Sequence, residues 1–296
     1  MSKSRLKIAK PDIERYFEGL VQKIYRPMEI AHYLREQRAF WRLAQSTTTR
    51  AFIDFLLTSS KLSEFEFPFP APYKREVRYA WGEVPFHEIL LTLKEGCYFS
   101  HYTAMGFHGL TEQLPKTTYL NHEQAITGRT SGGLTQRGID NALRRPVRET
   151  SNIAETNDFR VCIISGKNTG NYGVIEDDIM GAGASLGRLR LTKLERTLID
   201  IAVRPVYAGG VQEVLKAYEL AQDRASINVL AATLKKLDYL YPYHQVIGYY
   251  LERAGYRHGQ IDMLKQFPIE FDFYLTHGMK EMKYVEKWRL FVPKDF

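Results

Sequence analysis

The sequence predicts an α+β protein in two parts, and three observations carry that prediction. Residues 12–62 hold three helical patterns in succession, and residues 64–81 hold two strand-like runs around a proline-rich turn. From Phe86 onward, short strand patterns precede a mainly helical region. The excess positive charge sits in the first part. Residues 1–81 carry 15 Lys and Arg against 9 Asp and Glu, the remainder 26 against 25, within a net charge of +7 over 296 residues.

Asp12–Gln22 reads as the first helix, with Asp12 as cap and Ile13, Phe17, Leu20 and Val21 as its apolar stripe. Arg26-Pro27 breaks it, and Pro27 suits the first turn of a second helix whose Ile30, Ala31 and Leu34 face inward. Phe40, Trp41 and Leu43 follow as expected core residues. Ser46 or Thr47 is expected to cap a third helix, with Ala51, Phe52, Phe55 and Leu56 on its core side, ending at Lys61-Leu62. Glu64–Phe67 and Glu76–Trp81 then read as strands around Pro68-Phe69-Pro70-Ala71-Pro72, a stretch that cannot continue a strand ladder. Three helices and a hairpin make a winged helix-turn-helix, in which the third helix enters the DNA major groove and the hairpin is the wing. Gly82–Pro85 is the expected boundary, giving domains 1–82 and 86–296.

In the second part Ser100 is expected to cap a helix through His101, Ala104 and Met105, ending near Gly109. Thr117–Asn121 and Leu189–Leu191 read as strands, Arg160–Ser165 and Gly173–Glu176 as paired strands, and Thr135–Arg145 as a short basic helix. Val211–Gln222, Ser226–Leu237 and His244–Ala254 read as helices. This makes the whole chain α+β: an N-terminal winged helix-turn-helix followed by a mixed α/β C-terminal domain.

Composition excludes several classes. At 44% hydrophobic and 25% charged the chain is ordinary for a globular protein, and no apolar run reaches the roughly 20 residues of a membrane helix. The basic start, MSKSRLKIAKPD, lacks the apolar stretch of a secretory signal. Cys97 and Cys162, a lone distant pair, point to a reducing cytoplasm and are too few for structural zinc, so no metal and no cofactor are expected.

The concentration of positive charge suits a phosphate-backbone partner. Ser46, Thr47, Thr48, Thr49 and Arg50 stand where a recognition helix presents its first turn. Their hydroxyls and amides suit phosphate, and Arg50 has the reach for guanine O6 and N7. Arg42 lies just before them, and Lys74, Arg75 and Arg78 lie on the wing. Arg144, Arg145 and Arg148, with Arg137, form a second basic stretch suited to additional phosphate contacts or to a solvated insertion.

Other motifs carry less. SGKNTG at Ser165–Gly170 has the Gly-Lys pair of a phosphate-binding loop, but Val161 stands where the pattern needs glycine. GAGASLG at Gly181–Gly187 precedes a strand and reads as a loop. Glu176, Asp177 and Asp178 could hold a metal in a nuclease-like alternative, though a solvated loop explains them. His101, His108 and His244 read as packed histidines, and no nucleophile has a base-plus-orienter set, so no catalytic residue is assigned. The tyrosine-rich LDYLYPYHQVIGYYLERAGY (Leu237–Tyr256) suits either a partner surface or core packing.

Leu191–Gly210, LTKLERTLIDIAVRPVYAGG, is the most distinctive segment. Thr192-x-x-Glu195 has the form of a capping box, and Arg196 and Asp200 are four apart on the following helix. With CYFSHYTAMGFHGLTEQLPKTTYLN (Cys97–Asn121) and Leu237–Tyr256, it resembles the AbiEi family of antitoxins and transcriptional regulators of bacterial type IV toxin–antitoxin systems. The resemblance spans roughly residues 86–296. It implies an N-terminal winged helix-turn-helix that binds inverted repeats in operator DNA, self-association on that DNA, and autorepression. It further implies a C-terminal domain that neutralises a nucleotidyltransferase-like toxin, often without a stable complex, and no enzymatic activity of its own.

Overall fold

A computed structural model of the chain describes residues 4–113, 115–125, 133–180 and 185–296. The first residues of the Gly128–Arg148 stretch and most of Gly181–Gly187 lie outside the described residues. The protein is α+β and divides into two compact units: Met1–Glu95 with Ala154–Asn157, and Gly96–Ile153 with Asp158–Phe296.

The first unit runs α1 (Arg5–Gly19), β1 (Ile24–Tyr25), α2 (Pro27–Gln37), α3 (Thr49–Ser59), β2 (Leu62–Phe67), β3 (Glu76–Trp81) and α4 (Phe86–Leu91). The three strands form an antiparallel sheet in the order β1-β3-β2, with Leu62 opposite Trp81 and Phe67 opposite Glu76. Strand β1 was not expected, because two residues are too short for a periodic signal. Helix α1 starts well before Asp12. Ser4 caps it, and it runs through Pro11 because Ala9, Ile13 and Phe17 form one buried stripe that outweighs the missing amide. It also ends before Val21, which is 99% exposed instead of joining the stripe. Phe17 stacks on Trp81 and Trp41 on Phe52, with ring centroids 4.8 and 5.6 Å apart. Phe40, expected inside, is exposed.

The division between units falls after Glu95, later than the expected Gly82–Pro85. The buried Arg78 of β3 ties the following segment back to the sheet: its Nε donates to Thr92 Oγ1 at 3.0 Å and its Nη2 to the Thr92 carbonyl at 2.9 Å.

In the second unit come β4 (Tyr98–Phe99), α5 (His101–Phe107), β5 (Thr118–Glu123) and α6 (Gln136–Leu143); after β6 (Ile153–Glu155), two of whose residues belong to the first unit, follow β7 (Arg160–Gly166), β8 (Val174–Met180) and β9 (Ser185–Thr192). Five of these strands neighbour one another as β7-β5-β4-β9-β8. The expected pairing of Arg160–Ser165 with Gly173–Glu176 is therefore wrong. β7 lies parallel to β5, and β8 pairs antiparallel with β9. Two strands separated by a turn suggest a hairpin, but β7 aligns its apolar run with β5, and β8 sets Glu176 and Asp178 opposite Arg190 and Arg188 of β9. Helices α7 (Leu194–Val203), α8 (Val211–Leu220), α9 (Ile227–Leu237), α10 (Tyr243–Arg253) and α11 (His258–Asp262) follow, with β10 (Phe273–Tyr274), β11 (Met282–Val285) and β12 (Leu290–Pro293) in a small sheet ordered β10-β12-β11. Trp288 lies against α10 at Gly248, where a Cβ would come within 2.2 Å of its ring.

A buried polar network ties this unit together. Arg196 Nε donates to Asp200 Oδ1 at 2.7 Å, with both side chains buried, and Arg196 Nη1 donates to the Tyr172 carbonyl at 2.5 Å and to Thr169 Oγ1 at 3.3 Å. Glu123 accepts from the Thr169 and Asn171 amides at 2.7 and 3.1 Å and from the Tyr98 hydroxyl at 3.1 Å. Burial works against the Glu123 charge, but these donors outweigh it and hold its carboxyl below the usual range. Burial likewise opposes the Arg196 cation, and Asp200 with the nearby tyrosines more than compensates.

The capping box expected at Thr192 and Glu195 does not form. Thr192 ends β9 with its hydroxyl 2.7 Å from that of Thr197, and Glu195 accepts from the Ser226 amide at 3.0 Å. Ser100 does not cap α5 through its side chain. His101 has φ +51°, which turns its ring back so that Nδ1 lies 2.8 Å from Ser100 Oγ, a contact that a regular helical residue could not make.

Arg196→Ala is expected to lower stability by about 3–5 kcal/mol, since it strands the Asp200 carboxylate in the interior. Guanidinium unfolding measures this, and an unchanged midpoint would refute it. A second expectation concerns acid. Burial pushes His101 and His244 down to about 4, against about 6.5 in an unfolded chain. The unfolded state then binds more protons between those values. Stability is complete above pH 6.5 and drains as pH falls toward 4, by up to roughly 1.4 kcal/mol per pH unit for each histidine. His101→Asn, which tolerates the positive φ, should make urea midpoints between pH 7 and 5 less steep.

Candidate nucleic-acid interface

Helix α3 packs on α2 and β2 through Phe52, Ile53 and Leu56, which leaves its first turn facing outward. Its cap is Thr48, whose Oγ1 accepts from the Ala51 amide at 3.1 Å, and not Ser46 or Thr47. The expected start was early because any of four consecutive hydroxyl residues could serve. Arg38 decides between them: its guanidinium donates to the carbonyls of Ala44 (2.5 Å) and Thr47 (3.0 Å), which bracket a turn closed by the Thr47 amide on the Ala44 carbonyl and leave Thr48 as the first free cap. Ser46 and Thr48 are exposed, Thr47 and Thr49 half-buried. Arg50 is exposed in the first turn, with no ion-pair partner among the described residues and no acidic side chain in that turn.

The β2–β3 connection presents Lys74 and Arg75 to solvent, and Arg75 pairs with Glu66. Arg78, expected to contact DNA, has a different role. It is 2% exposed, donates to the Val77 carbonyl and to Thr92, and pairs with Glu76 at 3.0 Å. Arg78, Tyr79, Ala80 and Trp81 of β3 are all buried, and Thr92 and Leu93, just after α4, supply carbonyl acceptors for Arg78 that cannot be read from the strand.

Arg42 is exposed and lines an open concavity of about 460 Å³ together with Arg5, Arg35 and Arg38. Sequence reading missed these three because they come from α1, α2 and the turn after α2; only the overall charge bias hinted at them. In the second unit Arg144, Arg145 and Arg148 are exposed, and Arg144 Nε donates to the Tyr274 hydroxyl at 3.2 Å, which, with Asp140 nearby, favours its charge.

The remaining motifs resolve into structure. Lys167 of SGKNTG reaches the end of α9 and donates to the Leu237 carbonyl at 2.9 Å and to that of Asp238, a helix C-cap. Glu176 faces Arg188 and Arg190 at 3.6 and 3.7 Å, and no group of three or more metal-ligating side chains forms among the described residues. In the Leu237–Tyr256 stretch Tyr249, Tyr250 and Tyr256 are buried, and Tyr241 and Tyr243 pack on Phe273, so core packing accounts for them. Burial raises the Cys162 thiol to about 12, well above a reactive range. Among the described residues, no helix is long and apolar enough to cross a membrane.

No family model and no curated protein matches the chain. Among solved structures, the crystal structure of the RV2827C protein from Mycobacterium tuberculosis is similar, with a TM-score of 0.59 and 14% sequence identity over 96% of this chain and 91% of that one. At that identity the likeness concerns the fold alone.

Arg78→Ala should lower the stability of the first unit, on the order of 3 kcal/mol, because several buried acceptors lose their donor at once. Thermal unfolding followed by tryptophan fluorescence reads this, since Trp41 and Trp81 lie in that core. A midpoint equal to that of the parent would show the bonds to be dispensable.

Proposed function

We propose that the protein is a DNA-binding antitoxin of the AbiEi kind, which represses its own operon and neutralises a nucleotidyltransferase-like toxin. The observation that carries this reading is the order helix, strand, helix, helix, strand, strand with an antiparallel sheet β1-β3-β2, and at the start of the third helix an exposed Arg50 with no ion-pair partner among the described residues. That order is the one a winged helix-turn-helix requires. In this reading α3 is the recognition helix, the β2–β3 connection is the wing, and Ser46, Thr48, Arg50, Lys74 and Arg75 face the duplex.

Two copies would meet an inverted repeat, since a two-fold DNA site matches a two-fold pair of proteins. The first unit then supplies repression. The second, where the sequence resemblance lies, supplies the antitoxin role in the cytoplasm without catalysis. The α2–α3 connection is longer than the usual three- or four-residue turn, and the two Arg38 bonds give it the rigidity a short turn would have.

Fluorescence anisotropy with duplex DNA from upstream of the gene tests the reading. Affinity should fall more than tenfold between roughly 50 and 200 mM salt as counterions are released. Arg50→Ala should cost about 1–3 kcal/mol on the operator, if Arg50 contacts a guanine bidentately, while toxin neutralisation in cells persists. Salt-independent affinity, or an Arg50→Ala variant equal to the parent on the operator, would overturn it.

A further inference from the structure

Arg5 of α1 and Arg35, Arg38 and Arg42, at and just after the end of α2, line one open concavity, and among the described residues no carboxylate lines it. Arg5, Arg35 and Arg42 have no ion-pair partner among the described residues, whereas elsewhere on this unit Lys61 and Arg75 pair with Glu18 and Glu66. Like charges gathered without a counter-charge repel, and an anion placed among them relieves that repulsion.

The backbone around the concavity points the same way. The turn after α2 closes as a Schellman motif: the Leu43 amide donates to the Arg38 carbonyl at 3.0 Å and the Arg42 amide to the Ala39 carbonyl at 3.1 Å. Arg42 therefore occupies the left-handed position, with φ +51°, that glycine normally fills at less cost. From that position the Arg42 side chain lines the concavity. Arg38 is held by the Ala44 and Thr47 carbonyls, so part of the charge is already fixed in place. Arg5 opens the 15-residue helix α1, whose first turn carries no acidic residue, so the positive end of the helix dipole adds to the same field.

We infer that this concavity is a clamp for a backbone phosphate of duplex DNA, separate from the bases read by α3. The inference rests on the DNA-binding reading above and deepens it. The contact is blind to sequence. It adds affinity for any duplex and fixes the protein's position on the backbone, and it leaves discrimination to the first turn of α3.

Two variants test it, Arg42→Gly and Arg5→Gln/Arg35→Gln, each measured by anisotropy on the upstream duplex and on an unrelated duplex across a salt series. Arg42→Gly places the preferred residue at a left-handed position, so its thermal midpoint should hold or rise. The expected result is a loss of about tenfold or more on both duplexes alike, with the salt slope shallower by about 1 to 2. Parental affinity and slope in both variants would overturn the clamp and leave the DNA-binding reading standing. A loss confined to the upstream duplex would also overturn it, since the residues would then read bases. If the parent protein bound neither duplex at low salt, both readings would fall together.

Discussion

The buried pair of Arg196 and Asp200 is the interaction on which the second unit depends. A guanidinium and a carboxylate taken out of water are costly unless every remaining donor is met. Arg196 offsets part of that cost by reaching, through Nη1, the Tyr172 carbonyl and Thr169, which belong to the turn between β7 and β8. Glu123 of β5 holds the same turn from the other side through the Thr169 and Asn171 amides. One helix and one strand therefore fix the chain path between two strands that do not pair with each other. The pair is less a source of net stability than a constraint on register: few other arrangements of these strands would leave both charges satisfied.

The same residue type plays opposite parts in this protein, and surroundings alone separate them. Arg196 and Arg78 are buried and spend their donors on carbonyls and carboxylates. Arg38 lies between the two extremes, spending its donors on the α2–α3 connection while lining the concavity. Arg5, Arg35, Arg42 and Arg50 stay exposed. Net charge counts all of these equally. The structure shows which remain exposed: Arg5, Arg35 and Arg42 around one concavity, and Arg50 in the first turn of α3.

Much of the fold was readable because local signals agreed with tertiary burial. Pro27 opens α2, Ser226 caps α9, Thr135 caps α6, and β3 spans the residues its alternation suggests. The misreadings share a cause. Strand pairing between β5 and β7, the length of β9 and the route of Glu195 all depend on partners far along the chain. For the candidate interface, Arg50 and the hydroxyl run stood out as a contiguous pattern. Arg78 looked equivalent to Arg75 because a strand pattern does not say which face a later helix will cover. Arg5 and Arg35 carried no local mark at all.

By itself the sequence determined many of the helices and strands, the concentration of positive charge in residues 1–81, and the four-residue spacing that pairs Arg196 with Asp200. These are properties of neighbours within a turn or two, where periodicity and capping act. Tertiary structure alone decided the strand order of the larger sheet, the burial of Arg78 and the gathering of four arginines around one concavity. Each of those requires chain segments apart in sequence to meet, which for the concavity means Arg5 of α1 joining Arg35, Arg38 and Arg42, and the free energy that brings them together comes from burying apolar surface elsewhere, among Phe17, Trp81, Trp41 and Phe52 in one unit and around α7 and α10 in the other.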